Sequence, residues 1–320
     1  MKGLRLQAPA KVNLTLEVLY RREDGFHQLR TILQELKLCD TLDLEAEPGG
    51  NIELYCQDDT FLTGVEGNAP AGSASRQPPP QKDCIEQGSA GQLPPREGNL
   101  AYEAARLLQQ RFAPQKGVRI KLKKRIPLAA GLGGGSSDAA AVLCGLNKLW
   151  GLSLKKESLQ ELGARLGSDV PFFVEGGTAL ATGRGEIVQA LPPLPQIKVL
   201  LALPGGLALS AAQVYSSLNL DKIPEGNRTA KLAQLLRENL QGSVCRKIGN
   251  LLCNHLELSV FSLQKKVAVL KEKLQHAGLP ALLSGSGPTV FALAKDEGRL
   301  QQVAAGLVAQ DYRVILTETI

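Results

Sequence analysis

Hydrophobic and polar residues alternate along the N-terminal part of the chain, as they do in β-strands with one buried face. The strands that this alternation predicts cover residues 4–7, 12–20, 29–36, 41–47 and 51–56. Turn-forming residues at 22–25 separate the second strand from the third. Val118, Ile120 and Leu122 alternate with basic residues in the same way and predict one more half-buried strand. The N-terminal part is therefore expected to be rich in β-structure.

Apolar residues recur every three or four positions in much of the remaining chain, which is the spacing of amphipathic helices. The helices that this spacing predicts cover residues 100–112, 139–150 and 155–166, several segments between 210 and 276, and residues 297–309. The strands predicted among them cover residues 177–191, 198–203 and 312–318, with a strand pair around 285–288. This order predicts an α+β fold. The proline-rich segment 191–195 predicts a boundary between an N-terminal domain, residues 1–195, and a C-terminal domain, residues 196–320.

Residues 57–98 differ in composition from the segments on either side. Glycine, proline, serine and glutamine dominate there, and the consecutive Pro78, Pro79 and Pro80 exclude a regular element. A segment this polar buries too little apolar surface to offset the entropy of ordering its chain. It is predicted to be an inserted, disordered loop.

The composition is that of a globular protein, with 43% hydrophobic residues in a chain of 320. No apolar run reaches the roughly 20 residues of a membrane span, and Met1 is not followed by the apolar region of a signal peptide. The six cysteines form no Cys-x-x-Cys pair, which favours buried, reduced thiols over disulfides or zinc ligands. A cytoplasmic protein without a membrane partner is expected.

The formal net charge of +6 raises the question of nucleic-acid binding. Basic residues are spread along the chain, and aromatic residues make up only 4% of it, which disfavours a stacking platform for bases. An anionic small-molecule substrate explains the charge equally well. No nucleic-acid partner is expected.

Residues 127–143 carry the strongest chemical signal, because a glycine- and serine-rich turn there joins a predicted strand to a predicted helix. Glycine has no Cβ, so the backbone at Gly131 and at 133–135 can take a positive φ and approach a ligand closely. Ser136 and Ser137 lie where the N-cap of the helix is predicted, and the free amides of a helix N-terminus favour an anion. A polyphosphate is the expected ligand. A strand-to-helix turn without a ligand is the alternative.

The two commonest phosphate-binding motifs do not fit this loop. A Walker A motif requires Gly-Lys-Ser/Thr, and no lysine follows a glycine in the loop. A dinucleotide fingerprint requires Gly-x-Gly-x-x-Gly, but counting from Gly131 puts Ser136 in the last position, and counting from Gly133 puts Asp138 there. The loop therefore indicates another class of nucleotide site.

Three separated segments resemble the GHMP kinases, a superfamily that includes galactokinase, homoserine kinase, mevalonate kinase and phosphomevalonate kinase. They are Ala-Pro-Ala-Lys-Val-Asn-Leu at 8–14, the glycine loop, and Leu-Ser-Gly-Ser-Gly-Pro-Thr-Val-Phe at 283–291. Within the superfamily, residues 24–27 and 167–172 resemble the family that phosphorylates 4-diphosphocytidyl-2-C-methyl-D-erythritol in the non-mevalonate isoprenoid pathway. The resemblance covers the whole chain outside the insert.

This resemblance implies an N-terminal domain like the second domain of ribosomal protein S5 and a ferredoxin-like C-terminal domain, with the active site between them. It also implies that ATP binds with Mg²⁺ among its phosphate oxygens, without identifying the residues that hold the metal. The residues implied in ATP binding are Pro127, Leu128, Ala129, Ala130, Gly131, Leu132, Gly133, Gly134, Gly135, Ser136, Ser137, Gly285, Ser286 and Gly287. Backbone N–H groups would there neutralise the charge that a lysine neutralises in a P-loop.

Two charged residues match the catalytic positions of the family. Asp169 matches the aspartate that takes the proton from the substrate hydroxyl, and a carboxylate suffices because phosphoryl transfer depends mainly on positioning and charge stabilisation. Lys11 matches the lysine that keeps this aspartate ionised and stabilises charge on the transferred oxygens. From the residues alone, the alternatives are an ordinary helix-end aspartate and a surface lysine.

The residues implied in substrate binding are Asn13, Phe26, His27 and Tyr215. Phe26 and His27 resemble an aromatic–histidine pair that receives the cytosine, and Tyr215 resembles a second aromatic wall. Asn13 is implied as a hydrogen-bond partner near the reacting hydroxyl. Phe26 stands where the family usually has tyrosine, which keeps the stacking face, whereas Ala211 stands where it often has threonine, so one substrate hydrogen bond is in doubt.

The sequence thus predicts an ATP- and magnesium-dependent kinase that phosphorylates the 2-hydroxyl of the cytidyl substrate. Another small-alcohol kinase of the superfamily and a catalytically silent nucleotide-binding protein are the alternatives. Phe26 and His27 argue against the first, because mevalonate and homoserine have no base to stack. The joint presence of Lys11 and Asp169 argues against the second. The oligomeric state is left open, a homodimer included.

Overall fold

Two β-sheets and the helices packed around them make up the computed structural model, which describes residues 3–60, 98–238 and 244–320. The strands are β1 (Gly3–Arg21), β2 (His27–Glu47), β3 (Ile52–Asp58), β4 (Gly117–Lys124), β5 (Thr178–Gly183), β6 (Ile187–Ala190), β7 (Lys198–Pro204), β8 (Cys253–Asn254), β9 (Ala281–Leu283), β10 (Val290–Ala294) and β11 (Tyr312–Glu318). The helices are α1 (Leu100–Phe112), α2 (Gly134–Leu149), α3 (Lys156–Leu166), α4 (Val170–Glu175), α5 (Ala211–Ser216), α6 (Arg228–Arg237), α7 (Val244–Gly249), α8 (Glu257–Leu263), α9 (Lys265–His276) and α10 (Glu297–Val308).

The two longest strands form the centre of the first sheet. β1 and β2 pair antiparallel and meet at a tight hairpin, where Arg21 lies opposite His27. The sequence predicts separate strands at 4–7 and 12–20, but these form one strand, β1, and the strands predicted at 29–36 and 41–47 likewise form one strand, β2. The prediction is wrong because register shifts interrupt the alternation of apolar and polar residues while the pairing of the two strands continues. Most residues from Ala8 to Val18 are buried, whichever face of β1 they lie on, so the polarity of a side chain does not indicate which face of the strand points toward the core.

The first sheet has the strand order β3-β4-β2-β1-β8, with β5 and β6 attached along another part of β2. Helices α1 and α2 cover one face, where Leu44, Ile120 and Leu143 belong to a common core. The opposite face packs on the second sheet, and Val12 and Phe291 share the core between the sheets. The centre of β1 is therefore enclosed on both sides.

The second sheet is antiparallel and has the order β11-β7-β10-β9. Apart from β8, the chain from β7 onward runs strand, helices, strand, strand, helix, strand, which is the ferredoxin-like pattern. The predicted α+β fold, with a ferredoxin-like C-terminal half, is confirmed.

Strand β8 carries part of the C-terminal half into the first sheet. Cys253 and Asn254 pair in parallel with Thr15 and Leu16 of β1. Sequence analysis missed this strand because two residues show no periodicity. The predicted boundary at 191–195 lies between β6 and β7, and the division of the chain into domains there stays a prediction.

The predicted insert, residues 57–98, overlaps β3 at its start. Gln57 and Asp58 belong to that strand, and Asp59 and Thr60 after it are buried. The prediction of disorder concerns mainly residues 61–97, which lie outside the described residues.

Membrane spans and the state of the cysteines are two features that were predicted from composition. None of the helices in the described ranges combines the length and apolar character of a membrane span. Cys39, Cys144, Cys245 and Cys253 carry free thiols, and they are partly buried rather than fully buried as expected. Cys84 lies outside the described residues.

Candidate active site

The glycine loop lies between β4, which ends at Lys124, and α2, which begins at Gly134. Gly133 is the N-cap of this helix and has a left-handed φ of 73°, which favours glycine. The predicted N-cap position of Ser136 and Ser137 is therefore wrong, since both lie inside the helix. Serine is a common cap because its hydroxyl accepts a hydrogen bond from the helix amides, but α2 has no side-chain cap.

The uncapped first turn of α2 leaves backbone amides for a ligand. The φ angle is positive at Ala129, Gly131 and Gly133, which are alternate residues of the loop. Left-handed residues that alternate with right-handed ones turn successive N–H groups toward one side and form anion-binding nests. Together with the dipole of α2, this geometry favours a chain of phosphates.

Burial differs among the residues predicted to bind ATP. Ala129 and Gly135 are exposed; Leu128, Gly131, Gly133, Gly134, Ser136 and Ser286 are partly buried; Pro127, Ala130, Leu132, Ser137, Gly285 and Gly287 are buried. The side chains of Ala130 and Leu132 belong to the core between the sheets, so these two residues can offer a nucleotide only their backbone groups.

A second glycine turn, residues 284–287, touches the glycine loop. A Cβ on Gly131 would lie 2.2 Å from the carbonyl oxygen of Ser284 and 3.0 Å from the amide nitrogen of Gly287, so only glycine fits there. The hydroxyl of Ser284 also donates to the carbonyl oxygen of Gly131 at 3.0 Å. The fold thus brings together the two segments predicted to lie beside the phosphates.

Asn254 of β8 holds the second glycine turn in place. Its side-chain amide nitrogen donates to the carbonyl oxygens of Leu283 and Gly285, at 2.9 and 2.8 Å. Its Oδ1 accepts from the amide of Leu256 at 2.9 Å. Sequence reasoning missed Asn254, because only the pairing of β8 with β1 places it beside this turn.

Lys11 and Asp169, the predicted catalytic pair, face each other in the site. The ammonium nitrogen of Lys11 is 3.4 Å from a carboxylate oxygen of Asp169, and the two side chains are 4% and 34% exposed. Asp169 is the N-cap residue of α4, but its carboxylate makes no hydrogen bond to the amides of that helix. The carboxylate is therefore accessible to an incoming hydroxyl, and Lys11 is not a solvated surface charge.

Lys11 also contacts both glycine segments. Its backbone amide donates to the carbonyl oxygen of Leu132 at 3.0 Å, and its ammonium lies 3.2 Å from the position of a Cβ on Gly285. The ammonium donates to Oδ1 of Asn13 at 2.7 Å. Asn13, predicted as a substrate ligand, therefore holds the lysine, and Lys11 is fixed where the predicted segments meet.

Three ionisable side chains form a buried cluster beneath the glycine loop: Asp40 of β2, Lys124 of β4 and Asp138 of α2. The ammonium of Lys124 pairs with both carboxylates, at 2.6 Å in the case of Asp138, and each side chain is at most 4% exposed. Asp40 also accepts from the backbone amides of Arg125 and Ile126, which directly precede the loop. The cluster therefore ties both ends of the loop to β2.

The charges of this cluster influence one another strongly. Burial raises the pKa of Asp138 to about 7, against the opposing effect of Lys124 and with a further rise from Asp40. Burial alone would lower the pKa of Lys124, but the two carboxylates outweigh it and raise this pKa, so the ammonium stays charged. Sequence reasoning missed the cluster because Asp40 and Lys124 are 84 residues apart and meet only when β2 pairs with β4.

Phe26, predicted to stack on cytosine, lies at the hairpin between β1 and β2 and is 49% exposed. The guanidinium carbon of Arg184 lies 5.0 Å from the centre of its ring. Arg184 follows β5 and donates to the carbonyl oxygen of Ala164 at 2.5 Å. An arginine held in this way restricts the ring on one face. Sequence reasoning gave no role to Arg184, which belongs to none of the motifs.

His27 and Tyr215 stack on each other, with ring centres 5.4 Å apart and 27° between the ring planes. Burial lowers the pKa of His27, and the charge of Arg21 lowers it further, so the imidazole is neutral at neutral pH. Burial raises the pKa of Tyr215, and the negative charge of Asp169 adds to the rise. The structure thus brings both predicted ligands of the base to the same site as the predicted catalytic aspartate.

Comparisons with known sequences match both parts of the chain to one superfamily of kinases. Residues 99–177 match the family described as GHMP kinases N terminal domain, and residues 231–313 match GHMP kinases C terminal. A 4-diphosphocytidyl-2-C-methyl-D-erythritol kinase from Geobacillus kaustophilus is 40% identical over 306 residues, 95% of this chain and 92% of that protein. The enzyme of the same name from Shouchella clausii is 40% identical over 303 residues, 94% of this chain and 89% of that protein.

Solved structures resemble the chain over nearly its whole length. A crystal structure of 4-(cytidine 5'-diphospho)-2C-methyl-D-erythritol kinase is 31% identical and superposes with a TM-score of 0.71 over 99% of both chains. Homoserine kinase from Cytophaga hutchinsonii is 18% identical, with a TM-score of 0.70 over 100% of this chain and 95% of the other. The second likeness concerns the fold alone.

Proposed function

Because the chain belongs to the GHMP kinases, within their 4-diphosphocytidyl-2-C-methyl-D-erythritol kinase family, we propose that it transfers the γ-phosphate of ATP to the 2-hydroxyl of this substrate. The family predicted from the sequence is confirmed by these identities over nearly the whole chain. One observation assigns the proposed reaction to particular residues: the Lys11–Asp169 pair lies beside the glycine loop and the second glycine turn.

Asp169 acts as the proton acceptor in this proposal. The hydroxyl oxygen of the substrate forms a bond to the γ-phosphorus, the bond from this phosphorus to the bridging oxygen breaks, and ADP leaves. The hydroxyl proton passes to the Asp169 carboxylate, which is free of helix-capping bonds and partly exposed. A carboxylate is basic enough, because the proton leaves only as the new oxygen–phosphorus bond forms.

Lys11 supplies the positive charge of the pair. Its ammonium lies 3.4 Å from the Asp169 carboxylate and attracts it electrostatically, which helps to hold the carboxylate in place. The same ammonium is held beside the glycine loop and the second glycine turn, which we assign to the phosphates. It can therefore stabilise negative charge on the transferred group without moving.

ATP is expected to carry Mg²⁺, and the residues present fit this ion without a protein cage. Mg²⁺ is commonly held by one or two protein groups together with substrate phosphates and waters, and the described ranges contain no cluster of three His, Cys, Asp or Glu side chains suited to a metal. The hydroxyl of Ser136 lies at the start of α2, 3.6 Å from the position of a Cβ on Gly167. We infer that the Ser136 hydroxyl would hold the ion together with the phosphate oxygens of ATP, and that the ion would neutralise charge on the γ-phosphate.

The cytidyl substrate is proposed to bind at the hairpin of β1 and β2. Phe26 offers the face of its ring that Arg184 does not cover, and a base can stack on it. His27 and Tyr215 form the neighbouring wall, and the neutral imidazole can both donate and accept hydrogen bonds. Mevalonate and homoserine have no ring to use these surfaces, which supports the cytidyl compound.

The reaction defines the partners as two small molecules. Both are phosphate compounds, which suits the excess of basic residues. The cytoplasmic location and the option of a homodimer stay predictions of the sequence.

An assay of ADP release tests the function. The purified protein is incubated with ATP and Mg²⁺ and, in parallel, with the cytidyl substrate, with mevalonate and with homoserine. We expect turnover of the cytidyl substrate alone. Turnover of mevalonate or homoserine instead would overturn the substrate assignment, and ATP binding without turnover would favour a silent nucleotide-binding protein.

Replacing Gly131 by alanine is expected to raise the KM for ATP about tenfold. The new Cβ would meet the Ser284 carbonyl oxygen at 2.2 Å, and the φ of 74° costs an L-residue about 1–2 kcal/mol. Gly151→Ala is the matched control, because Gly151 lies outside the predicted ATP site and has a similar φ of 65°, but a Cβ there would meet no atom within 4 Å. Steady-state kinetics with ATP varied measure both. Equal KM values in the two variants would contradict a phosphate role for the contact between the turns.

Replacing Phe26 by alanine is expected to weaken binding of the cytidyl substrate by roughly 1–3 kcal/mol, the usual contribution of base–aromatic stacking. The KM for ATP should stay the same, and Phe26→Tyr should behave like the parent. Tyr55→Ala removes an aromatic ring that is 51% exposed on β3, and it serves as the control. The KM of each substrate, varied separately, is measured. An equal rise for both substrates would indicate that Phe26 supports the fold rather than the base.

A further inference from the structure

A chain of buried hydrogen bonds leads away from the ammonium of Lys11. The ammonium donates to Oδ1 of Asn13 at 2.7 Å, and the Nδ2 group of Asn13 donates to Oγ1 of Thr31 at 2.9 Å. The hydroxyl of Thr31 donates in turn to the backbone carbonyl oxygen of Thr15. All four residues are at most 3% exposed. Water therefore does not compete for these groups.

The direction of each bond in this chain is determined by the groups present. A threonine hydroxyl has one hydrogen, and Thr31 uses it on the carbonyl oxygen of Thr15, which can only accept. Oγ1 of Thr31 must then accept from the next group, and the Nδ2 of Asn13 is the donor that faces it. With Nδ2 committed to Thr31, the amide oxygen of Asn13 faces Lys11. The reverse orientation would set an amide donor against the ammonium.

The far end of the chain is anchored to the C-terminal half of the protein. The hydroxyl of Thr229 donates to Oγ1 of Thr15 at 3.0 Å, and the amide of Ile32 donates to the same oxygen at 3.1 Å. Thr229 lies in the first turn of α6 and is fully buried. Thr15, whose carbonyl receives the Thr31 hydroxyl, is thus held from two sides.

We propose that Thr31 is a positioning residue for phosphoryl transfer, which orients the Asn13 amide so that its oxygen holds the Lys11 ammonium beside Asp169. This inference rests on the proposed function of Lys11 and Asp169. Thr31 does not touch the reactants and acts through Asn13. Loss of its hydroxyl leaves the shape of the site nearly unchanged but removes the acceptor of the Asn13 Nδ2 group, so the amide is no longer fixed against the ammonium.

The test begins with Thr31→Val, which has nearly the same shape and lacks the hydroxyl. We expect kcat to fall about tenfold, the effect of losing one hydrogen bond near a charge, with the KM for ATP changed less than about twofold. Thr31→Ser, which restores the hydroxyl, is expected to recover most of kcat. Thr178→Val is the matched control, since Thr178 is equally buried in the same sheet and its hydroxyl bonds Gln34 at 2.6 Å, away from Lys11.

A double-mutant cycle separates positioning from a structural role. In an Asn13→Ala background, Thr31→Val should lower kcat no further, because both changes remove the same link. An equal loss in both backgrounds, or a Thr178→Val enzyme as slow as Thr31→Val, would overturn the proposal.

A measurement on the resting protein makes the result independent of the substrate assignment. In NMR spectra of asparagine-labelled protein, the Asn13 side-chain amide hydrogen that is bonded to Thr31 should exchange with solvent slowly in the parent and faster in Thr31→Val. Fast exchange in the parent would refute the hydrogen bond to Thr31. If the parent fails to phosphorylate the cytidyl substrate, the proposed function fails, and the exchange measurement still decides whether Thr31 orients Asn13.

Discussion

Asp169→Asn is expected to lower kcat by a factor on the order of 10²–10⁴, the contribution usual for a general base. Asparagine keeps the shape of the side chain, but its amide cannot take the proton of the attacking hydroxyl. Binding of ATP should change little, because the amides that we assign to the phosphates belong to the glycine loop and not to α4. Single-turnover kinetics and nucleotide titration by calorimetry measure the two effects separately.

Asp43→Asn is the matched control for this change. Asp43 is 33% exposed, close to the 34% of Asp169, and it also faces one basic partner, Arg5 at 2.7 Å. This surface pair lies on the β1–β2 ladder and has no contact with the glycine loop among its described interactions. The kcat of the Asp43→Asn variant should equal that of the parent. A single-turnover rate of Asp169→Asn within a few-fold of this control would remove Asp169 from the mechanism.

Lys124→Met is expected to lower the free energy of unfolding by about 3–5 kcal/mol, because removing one partner leaves buried charges without compensation. Asp40 and Asp138 would then lie beside each other in the interior without a cation. Methionine fills a similar volume, so lost packing contributes little. Chemical denaturation followed by circular dichroism measures the change, and the KM for ATP should rise as well, since the cluster holds both ends of the glycine loop.

The same substitution at Lys121 separates this effect from a general cost of losing a lysine on β4. Lys121 is 51% exposed and pairs with Glu45 at 2.8 Å on the surface, so Lys121→Met should cost about 1 kcal/mol or less. Addition of Asp138→Asn to Lys124→Met should recover part of the loss, because one of the two uncompensated carboxyl groups is then neutral. Equal stability of the two lysine variants would show that the buried cluster contributes nothing to the fold.

The positions of the glycine loop and of the proposed catalytic pair could be predicted because each of them lies in a short contiguous segment. The positive φ angles at Gly131 and Gly133 favour glycine at both positions. Lys11 and Asp169 each belong to a motif whose neighbours are recognisable, and the structure places them 3.4 Å apart. The N-cap of α2 was predicted wrongly, because residue preferences at this position favour serine, whereas the N-cap in the structure is Gly133.

The groups that position these residues could not be predicted in the same way. Asn254, Arg184 and Thr31 belong to no motif, and each reaches the site through a strand pairing or a turn that is not local in sequence. Asp40 and Lys124 likewise meet only across a ladder. Hydrogen bonds and ion pairs of this kind depend on register, and register is decided by the whole sheet.

The sequence by itself determined the periodicities of the strands and helices, and with them the α+β class, and it indicated the proposed phosphate loop and the proposed catalytic residues. Only the tertiary structure decided which polar residues lie inside. Lys11, Asn13, Thr15 and Glu17 alternate with apolar residues and are typical of the solvent face of a half-buried strand, yet each is at most 3% exposed. The second glycine turn lies against the first two of these residues, and helix α6 lies against the other two. Once water is excluded, these groups must find partners in the protein, and the partners that they find hold Lys11 in place.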